Sequence, residues 1–362
     1  MKRRTKVVTE DKEHEEPLAL IRRRRAVAML GLLVFLFCTA IITALMGSLG
    51  PIGGDPSSER YISFGEAFDI LLGGDNPQSS TIWNVRMPRV IMAGIVGAGL
   101  AAAGMAMQAV FRNPMADPFI IGVSSGAAVG AAAVSLIGTA GILAALTQPF
   151  FAFICAIITV FIVYRLGTVK GNVQVDTLLL SGVAVAAFLG AMTSFMIFAA
   201  GQQFHQLAFW LLGSLGNAGW TQISIMVLPI SLGVVIIFLY SRELNVLLLG
   251  EETAHNLGGS PEFVKKLMLS VAAVMTSLAV AFTGIIGFVG LMIPHIMRLI
   301  VGSDHRILIV ASALGGAAFL MWADAIARSF IELLPVGVVT ALCGGPFFLY
   351  LLRRRKLKGG VT

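Results

Sequence analysis

An all-α integral membrane protein of about ten spans is the fold the sequence predicts, and three observations carry that reading. Hydrophobic residues make up 57% of the 362 and charged residues only 12%, with a mean hydropathy of +0.88, outside the range of a soluble domain. Apolar runs of roughly twenty residues, the length that crosses a bilayer as a helix, recur along the chain. The period-two alternation of a membrane barrel is absent, and helices are the other way to satisfy a backbone in lipid.

The elements follow in order. Residues 1–25 form a charged tail that ends in Arg22 to Arg25. The apolar segment from Ala26 to Leu49 is too long for a secretory h-region and lacks a clear small-residue cleavage site, so it reads as an uncleaved first span. Further spans are expected at 88–110, 118–138, 142–165, 176–200, 220–240, 264–283, 285–302, 306–330 and 336–352. The membrane unit thus covers 26–352, and a basic tail, 353–362, closes the chain. Pro294 and several glycines interrupt the eighth span, which reads as one helix or as two half-helices.

Two connecting segments are long enough to carry structure. Between Gly50 and Val85, the stretch ISFGEAFDILLGG is amphipathic and suits a membrane interface. Between Ser241 and Lys266, a Leu-rich half followed by GEETAHNLG reads as two short helices hinged near Gly250 and stopped by Gly258, Gly259 and Pro261.

The net charge of +7 is distributed by side, which argues against a nucleic-acid partner and for a membrane orientation. With the N-terminus inside, the inner segments hold the nine basic residues of the tail, Arg112, Arg165, Lys170, Arg242, Lys265, Lys266, Arg298, Arg306 and the five from Arg353 to Lys358. Only Arg60, Arg86, Arg89 and Arg328 are left outside. The positive-inside rule therefore puts both termini in the cytoplasm.

Candidate chemistry is sparse. Cys38, Cys155 and Cys343 each lie inside an apolar run and read as small packed hydrophobes, with no disulfide or metal framework. No G-x-x-x-x-G-K-[ST] occurs, so energy for any transport comes from a gradient or from another subunit. An ion-coupled transporter needs ionisable groups within its spans, and Asp117, Asp176, Asp324 and Glu332 all fall near expected span ends, with no buried pair evident. An intramembrane enzyme needs a nucleophile with a base or a metal cluster, and neither pattern is present. His295, beside Pro294, is read as bonding a carbonyl that the proline frees or as a metal ligand; His14, His205, His255 and His305 are expected in loops.

Arg86, Arg89 and Arg328 sit at span mouths, where guanidinium groups can pair with carboxylates of a partner, snorkel to headgroups or, for Arg328, pair with Asp324 one turn earlier. The segment Leu244–Gly258 is either a partner-gripping helix pair or a solvated link between spans.

Seven ordered blocks carry a family resemblance: RMPR, FRNPMADPFIIGVSSGAA, LLLSGVA, FWLLGSLGNAGW, LGEETAHNLG, GFVGLMIPHIMRLIVGSDHR and LPVGVVTALCGGPFFLYLL. From about Ile21 to Lys356 the chain resembles the FecCD-type, BtuC-like permeases of type II ABC importers, which carry iron-siderophore complexes, haem or cobalamin. The resemblance implies a ten-helix fold, a second permease copy or paralogue, ABC ATPase subunits, an extracytoplasmic substrate-binding protein that can be a lipoprotein, and a bacterial cytoplasmic membrane with its lipid. It implies no cofactor, metal site or catalysis, and a ferric siderophore as cargo, with cobalamin and haem as alternatives. Carried over residue by residue, it gives Arg86, Arg89 and Arg328 a docking role for the binding protein. Leu244, Gly250, Glu251, Ala254, Leu257 and Gly258 take ATPase coupling, and Asn113, Met115, Val175 and Asp176 take the cytoplasmic gate. Val175 and Asp176 depart from the small hydroxylated pair of some members. Gln108, Ser124, Ser125, Gly126 and Ser181 are the small or polar candidates for the pathway.

Overall fold

The computed structural model describes residues 2–46, 64–74, 76–77, 79–137, 144–199, 201, 204–330 and 334–359. Arg60 and Glu332 therefore lie outside the described residues. Helix α1 runs Lys2–Leu45, so the charged tail continues the first span as helix. It is followed by α2 (Phe64–Leu71) and α3 (Ser79–Thr81), which passes through a π-turn (Ile82–Arg86) into α4 (Met87–Val110). A 3₁₀ turn (Pro118–Ile121) leads into α5 (Val123–Ile137), and α6 covers Ala144–Leu166. A small hairpin, β1 (Thr168–Val169) and β2 (Asn172–Val173), precedes α7 (Val175–Ala199) and α8 (Phe204–Leu211). Then come α9 (Trp220–Leu239), α10 (Ser241–Leu247), α11 (Glu251–Asn256) and α12 (Pro261–Thr283). The chain closes with α13 (Val289–Val301), α14 (His305–Phe330) and α15 (Val336–Gly359).

Seven segments among the described residues are long and apolar enough to cross a membrane: Arg23–Leu45, Ser79–Val110, Thr147–Leu166, Val175–Ala199, Trp220–Leu239, Pro261–Thr283 and His305–Ser329. Three shorter apolar helices, Val123–Ile137, Val289–Val301 and Val336–Leu351, complete the ten expected from the sequence. The eighth span is one helix with Pro294 inside it, not two halves. At 13 residues it is about 20 Å long at 1.5 Å per residue, short of a bilayer core. The non-helical stretch before it, with Gly284 at φ 70° and Phe288 at φ 68°, supplies the rest. Such backbone survives at membrane depth when protein surrounds it. Here Ser214 N donates to Thr283 O at 2.7 Å, and Ile286 and Val289 are fully buried.

Helix α4 is the centre of the bundle, packed against α9, α12, α13 and α14. Its Gly and Ala content is what permits this. A Cβ at Gly97 would strike the carbonyl of Gly316 on α14, and one at Gly104 the carbonyl of Gly290 on α13. Small residues at helical spacing let backbones touch where no hydrophobic force separates lipid from side chain. Helices α1 and α7 are the least covered spans, with Phe35, Phe37, Phe188, Phe195 and Phe198 turned outward. On the first of these, Trp322 Nε1 donates to Thr39 Oγ1 at 3.1 Å and fastens α1 to α14. The amphipathic stretch expected in the first long loop is α2, whose Ala67 and Ile70 pack with Leu45 and Ile82.

Candidate functional site

Two clusters of charge lie at opposite ends of the bundle. The end bearing Arg25, Arg112, Arg165 and Arg242 is called here the basic face, and the other the opposite face.

At the opposite face, Arg89 Nε donates to Asp324 Oδ1 at 2.8 Å, and Arg328 Nε lies 3.2 Å from Asp324 Oδ2. Asp324 is 1% exposed. Arg328 also donates from Nη1 to Met46 O at 3.1 Å and from Nη2 to Thr43 O at 2.6 Å. Cationic groups at a helix C-terminus satisfy orphan carbonyls and suit the helix dipole, and this one caps α1. Arg86 is buried at the end of the π-turn, its Nη1 without a hydrogen-bond partner. Of the three arginines expected to be presented outward, Arg89 and Arg328 thus share one carboxylate while Arg86 is buried apart from it, and only Arg89 keeps appreciable exposure, 19% of its side chain.

This overturns one expectation. Arg328 does pair with Asp324 one turn earlier, an alternative the sequence left open, but the buried pair of Asp324 with Arg89, two turns inside the end of α14, was not evident there. Periodicity hid it because its partner comes from α4, 235 positions away. The cluster offers nothing to a coupling cation: two guanidinium groups share one carboxylate, and both its oxygens face arginine.

Beside Arg89 opens a cavity of about 340 Å³ lined by Gln148, Gln206, Trp210, Ser214, Asn217 and Thr283, among others. Its polar lining is uncharged apart from Arg89, and Gln148 Nε2 is buried without a partner.

At the basic face, the two short helices predicted between the sixth and seventh spans are α10 and α11. Gly250, at φ 112°, is the hinge between them, a conformation that costs glycine little and any other residue much. Leu244 and Ala254 are buried and hold the pair to the bundle, and Gly258, at φ 82°, follows the end of α11. Leu249 and Leu257 are 66% and 67% exposed, an apolar tip pointing away from the protein. Asn245 on α10 donates from Nδ2 to Asp304 Oδ1 at 3.0 Å, while its own oxygen accepts from His305 N at 2.9 Å. Burial would raise the Asp304 carboxyl, but the Asn245 amide, the Arg306 N–H and the Arg25 charge hold it below the usual carboxylate range.

The turn after α4 is a compact Asx structure. Asn113 Oδ1 accepts from Met115 N at 3.0 Å, Arg112 adopts φ 48°, and Asp117 caps the 3₁₀ turn by accepting from Phe119 N at 2.8 Å. Desolvation pushes the Asp117 carboxyl up to about 6, against the lowering pull of the Phe119 N–H. Asn113 is exposed and Met115 half-buried; Val175 and Asp176 open the first turn of α7 with Asp176 exposed.

Glu251 ties these parts together. Its Oε1 is 3.5 Å from Arg112 Nη2, and its Oε2 accepts from Lys265 Nζ at 2.9 Å. Sequence reasoning missed Lys265, which is 2% exposed at the start of α12 and also pairs with Glu262 and Val173 O. A carboxylate three residues before a Lys-Lys pair, and the Lys170-Gly171 dipeptide of a two-residue hairpin, were the available signals.

Of the pathway candidates, Ser124 and Ser125 are half-buried on α5, Gly126 packs on α6, and Ser181 bonds back to Thr177 O. Gln108 is fully engaged inside the protomer: Nε2 donates to Leu291 O at 3.1 Å, and Oε1 accepts from Arg298 at 3.1 Å. Its side chain therefore faces α13. The histidines depart from expectation too, since His205, His255 and His305 belong to α8, α11 and α14; the ring of His295 stands edge-on to Phe347 at 6.1 Å.

Among the described residues no group of three or more His, Cys, Asp or Glu side chains is placed to hold a metal ion. Residues 57–354 match the model of the FecCD transport family. The chain is 44% identical over 306 residues to the cobalamin import system permease protein BtuC of Halobacterium salinarum, covering 84% of this chain and 82% of that one. It is 38% identical over 343 residues to the hemin transport system permease protein HmuU of Yersinia pestis, covering 92% and 97%. A solved metal-chelate type ABC transporter in an inward-facing conformation superposes with a TM-score of 0.77 at 28% identity, over 90% of this chain and 98% of that one. The chain belongs to the FecCD transport family and is a multi-pass ABC importer permease, not an enzyme.

Proposed function

We propose that this permease passes a bulky metal chelate inward across a bacterial cytoplasmic membrane, with the basic face in the cytoplasm and both termini there. The observation that carries the reading is the pair of α10 and α11. They form a hinged element anchored by Leu244 and Ala254, with Leu249 and Leu257 turned out as an apolar tip for a soluble subunit. An ATPase dimer grips that tip and supplies the energy. A second permease, a copy or a paralogue, covers the exposed face of α7. The charged tails at 1–25 and 353–362 lie on the ATPase side of the 26–352 membrane unit.

The uncharged polar lining of the opposite-face cavity suits a large cargo that is held weakly and released, with specificity left to a capture protein. Arg89, on the rim of that cavity, is the docking contact for this protein, while Arg86 and Arg328 hold the mouth in shape. The gate at Asn113, Met115, Val175 and Asp176 closes the cytoplasmic end.

Two cargoes have support. The family resemblance and the metal-chelate type structural neighbour favour a ferric siderophore. The 44% identity to a cobalamin permease favours cobalamin, and since it exceeds the 38% to the hemin permease, cobalamin is the first cargo to test. The permease, reconstituted in liposomes with its ATPase and capture protein, is expected to accumulate one of the two chelates in an ATP-dependent manner. Accumulation of neither chelate nor haem, or uptake driven by an ion gradient without ATP, overturns the reading.

A further inference from the structure

Lys265 occupies a position that the permease function does not by itself explain. An ammonium group has three donors, and all three are used here. They go to Glu251 Oε2 at 2.9 Å, to Val173 O at 3.2 Å and to the Glu262 carboxylate. Glu262 in turn accepts from Val173 N at 3.0 Å, so both backbone groups of that residue are held by charged side chains. The neighbouring Lys266 donates to Gly171 O at 2.8 Å. The β1–β2 hairpin is thereby clamped to the start of α12, and its last residue lies two positions before α7 begins.

The same Glu251 that takes one bond from Lys265 reaches Arg112 with its other oxygen, beside Asn113 in the turn after α4. One carboxylate on α11 thus contacts the turn after α4 directly and, through Lys265, the hairpin that precedes Val175 and Asp176. Helix α10 is attached elsewhere, through Asn245 to Asp304 and His305 at the start of α14. Gly250, at φ 112°, lies between the two attachments, where a hinge would let α11 turn while α10 stays with α14.

We propose that Lys265 is a positioning residue that carries the movement of α11 to the β1–β2 hairpin and so to the first turn of α7, with Arg112 carrying the same movement to the turn after α4. This rests on the permease reading and adds to it the route of the stroke. A buried lysine that only balances two carboxylates predicts loss of stability when changed; a relay predicts a specific loss of coupling.

The test uses the reconstituted complex with Lys265→Met, which keeps most of the unbranched stem and removes the donors, and Lys265→Arg, which keeps the charge and the donors. The expected result for Lys265→Met is ATP hydrolysis near the wild-type rate with uptake per ATP lowered about tenfold, and for Lys265→Arg a substantial recovery. Spin labels at Asn172 and Glu252, both exposed, are expected to keep a constant separation through the nucleotide cycle in the wild type and to lose it in Lys265→Met. Should Lys265→Met fail to assemble, the wild-type labels decide alone. A hairpin that stays still while α11 moves, or unchanged uptake per ATP in Lys265→Met, overturns the relay and leaves the permease reading standing. Absence of any ATP-driven uptake by the wild type overturns both.

Discussion

Arg89 and Asp324, 235 positions apart in the chain, meet at 2.8 Å inside the bundle. The contact joins the central helix α4 to α14, and Arg328 adds α1 to the same knot through Thr43 and Met46. Three spans are therefore registered by one carboxylate and the Arg328 guanidinium beside it. Replacing Asp324 with Asn leaves Arg89 and Arg328 without their counter-charge, and removing one partner of a buried pair costs about 3–5 kcal/mol. Thermal unfolding of the detergent-purified permease is expected to show a marked fall in midpoint for Asp324→Asn and a smaller one for Arg89→Gln. Equal midpoints for wild type and Asp324→Asn would sink the assignment.

The apolar tip of α10–α11 makes a separate prediction. Burying a leucine that is otherwise exposed contributes about 1.5–3 kcal/mol, so Leu249→Ser with Leu257→Ser is expected to weaken ATPase association at least about tenfold while leaving the permease folded. Co-purification and titration of the ATPase read this out. Undiminished association would assign the grip to another surface.

Orientation is checked by labelling. In a background lacking Cys38, Cys155 and Cys343, a cysteine at Asn217 is expected to react with an impermeant reagent from outside, and one at Gly259 only after the membrane is opened. The reverse pattern overturns the topology and the docking role of Arg89 with it.

Asp117 gives a pH dependence. Its carboxyl is raised from 3.8 to about 6 by desolvation, so between those values the folded state holds a proton that the unfolded chain has released. Stability accordingly falls as pH rises through that window and stays lower above it. Asp117→Asn keeps an acceptor for Phe119 N and removes the titration; at neutral pH it is expected to gain about 1 kcal/mol or more and to flatten the profile between pH 4 and 6. A profile that keeps its slope in the variant assigns the titration to another group.

The spans were legible because each states its length in apolar residues, and even the hinge at Gly250 followed from a glycine between two short amphipathic runs. What the sequence withheld were contacts with no local period. Lys265 reads as a basic residue at a membrane edge, and nothing near it foretells that Val173, 92 positions earlier, will sit over its ammonium. Gln108 reads as a polar residue free to face a channel, until Arg298 and Leu291 arrive from α13. Asp324 looked peripheral because it stands six residues from the end of its span, and nothing local showed that Arg89 on α4 would reach it there. In each case the pattern gave the helix, and the partner came from another one.

The cap on α1 has a consequence for biogenesis. The carbonyls of Thr43 and Met46 receive their donors from Arg328, a residue made 282 positions after the second of them. The first span is therefore made before the guanidinium that caps its far end, and those two bonds form only once the ninth is in place. The order of synthesis makes the beginning of this protein among the last parts to be finished.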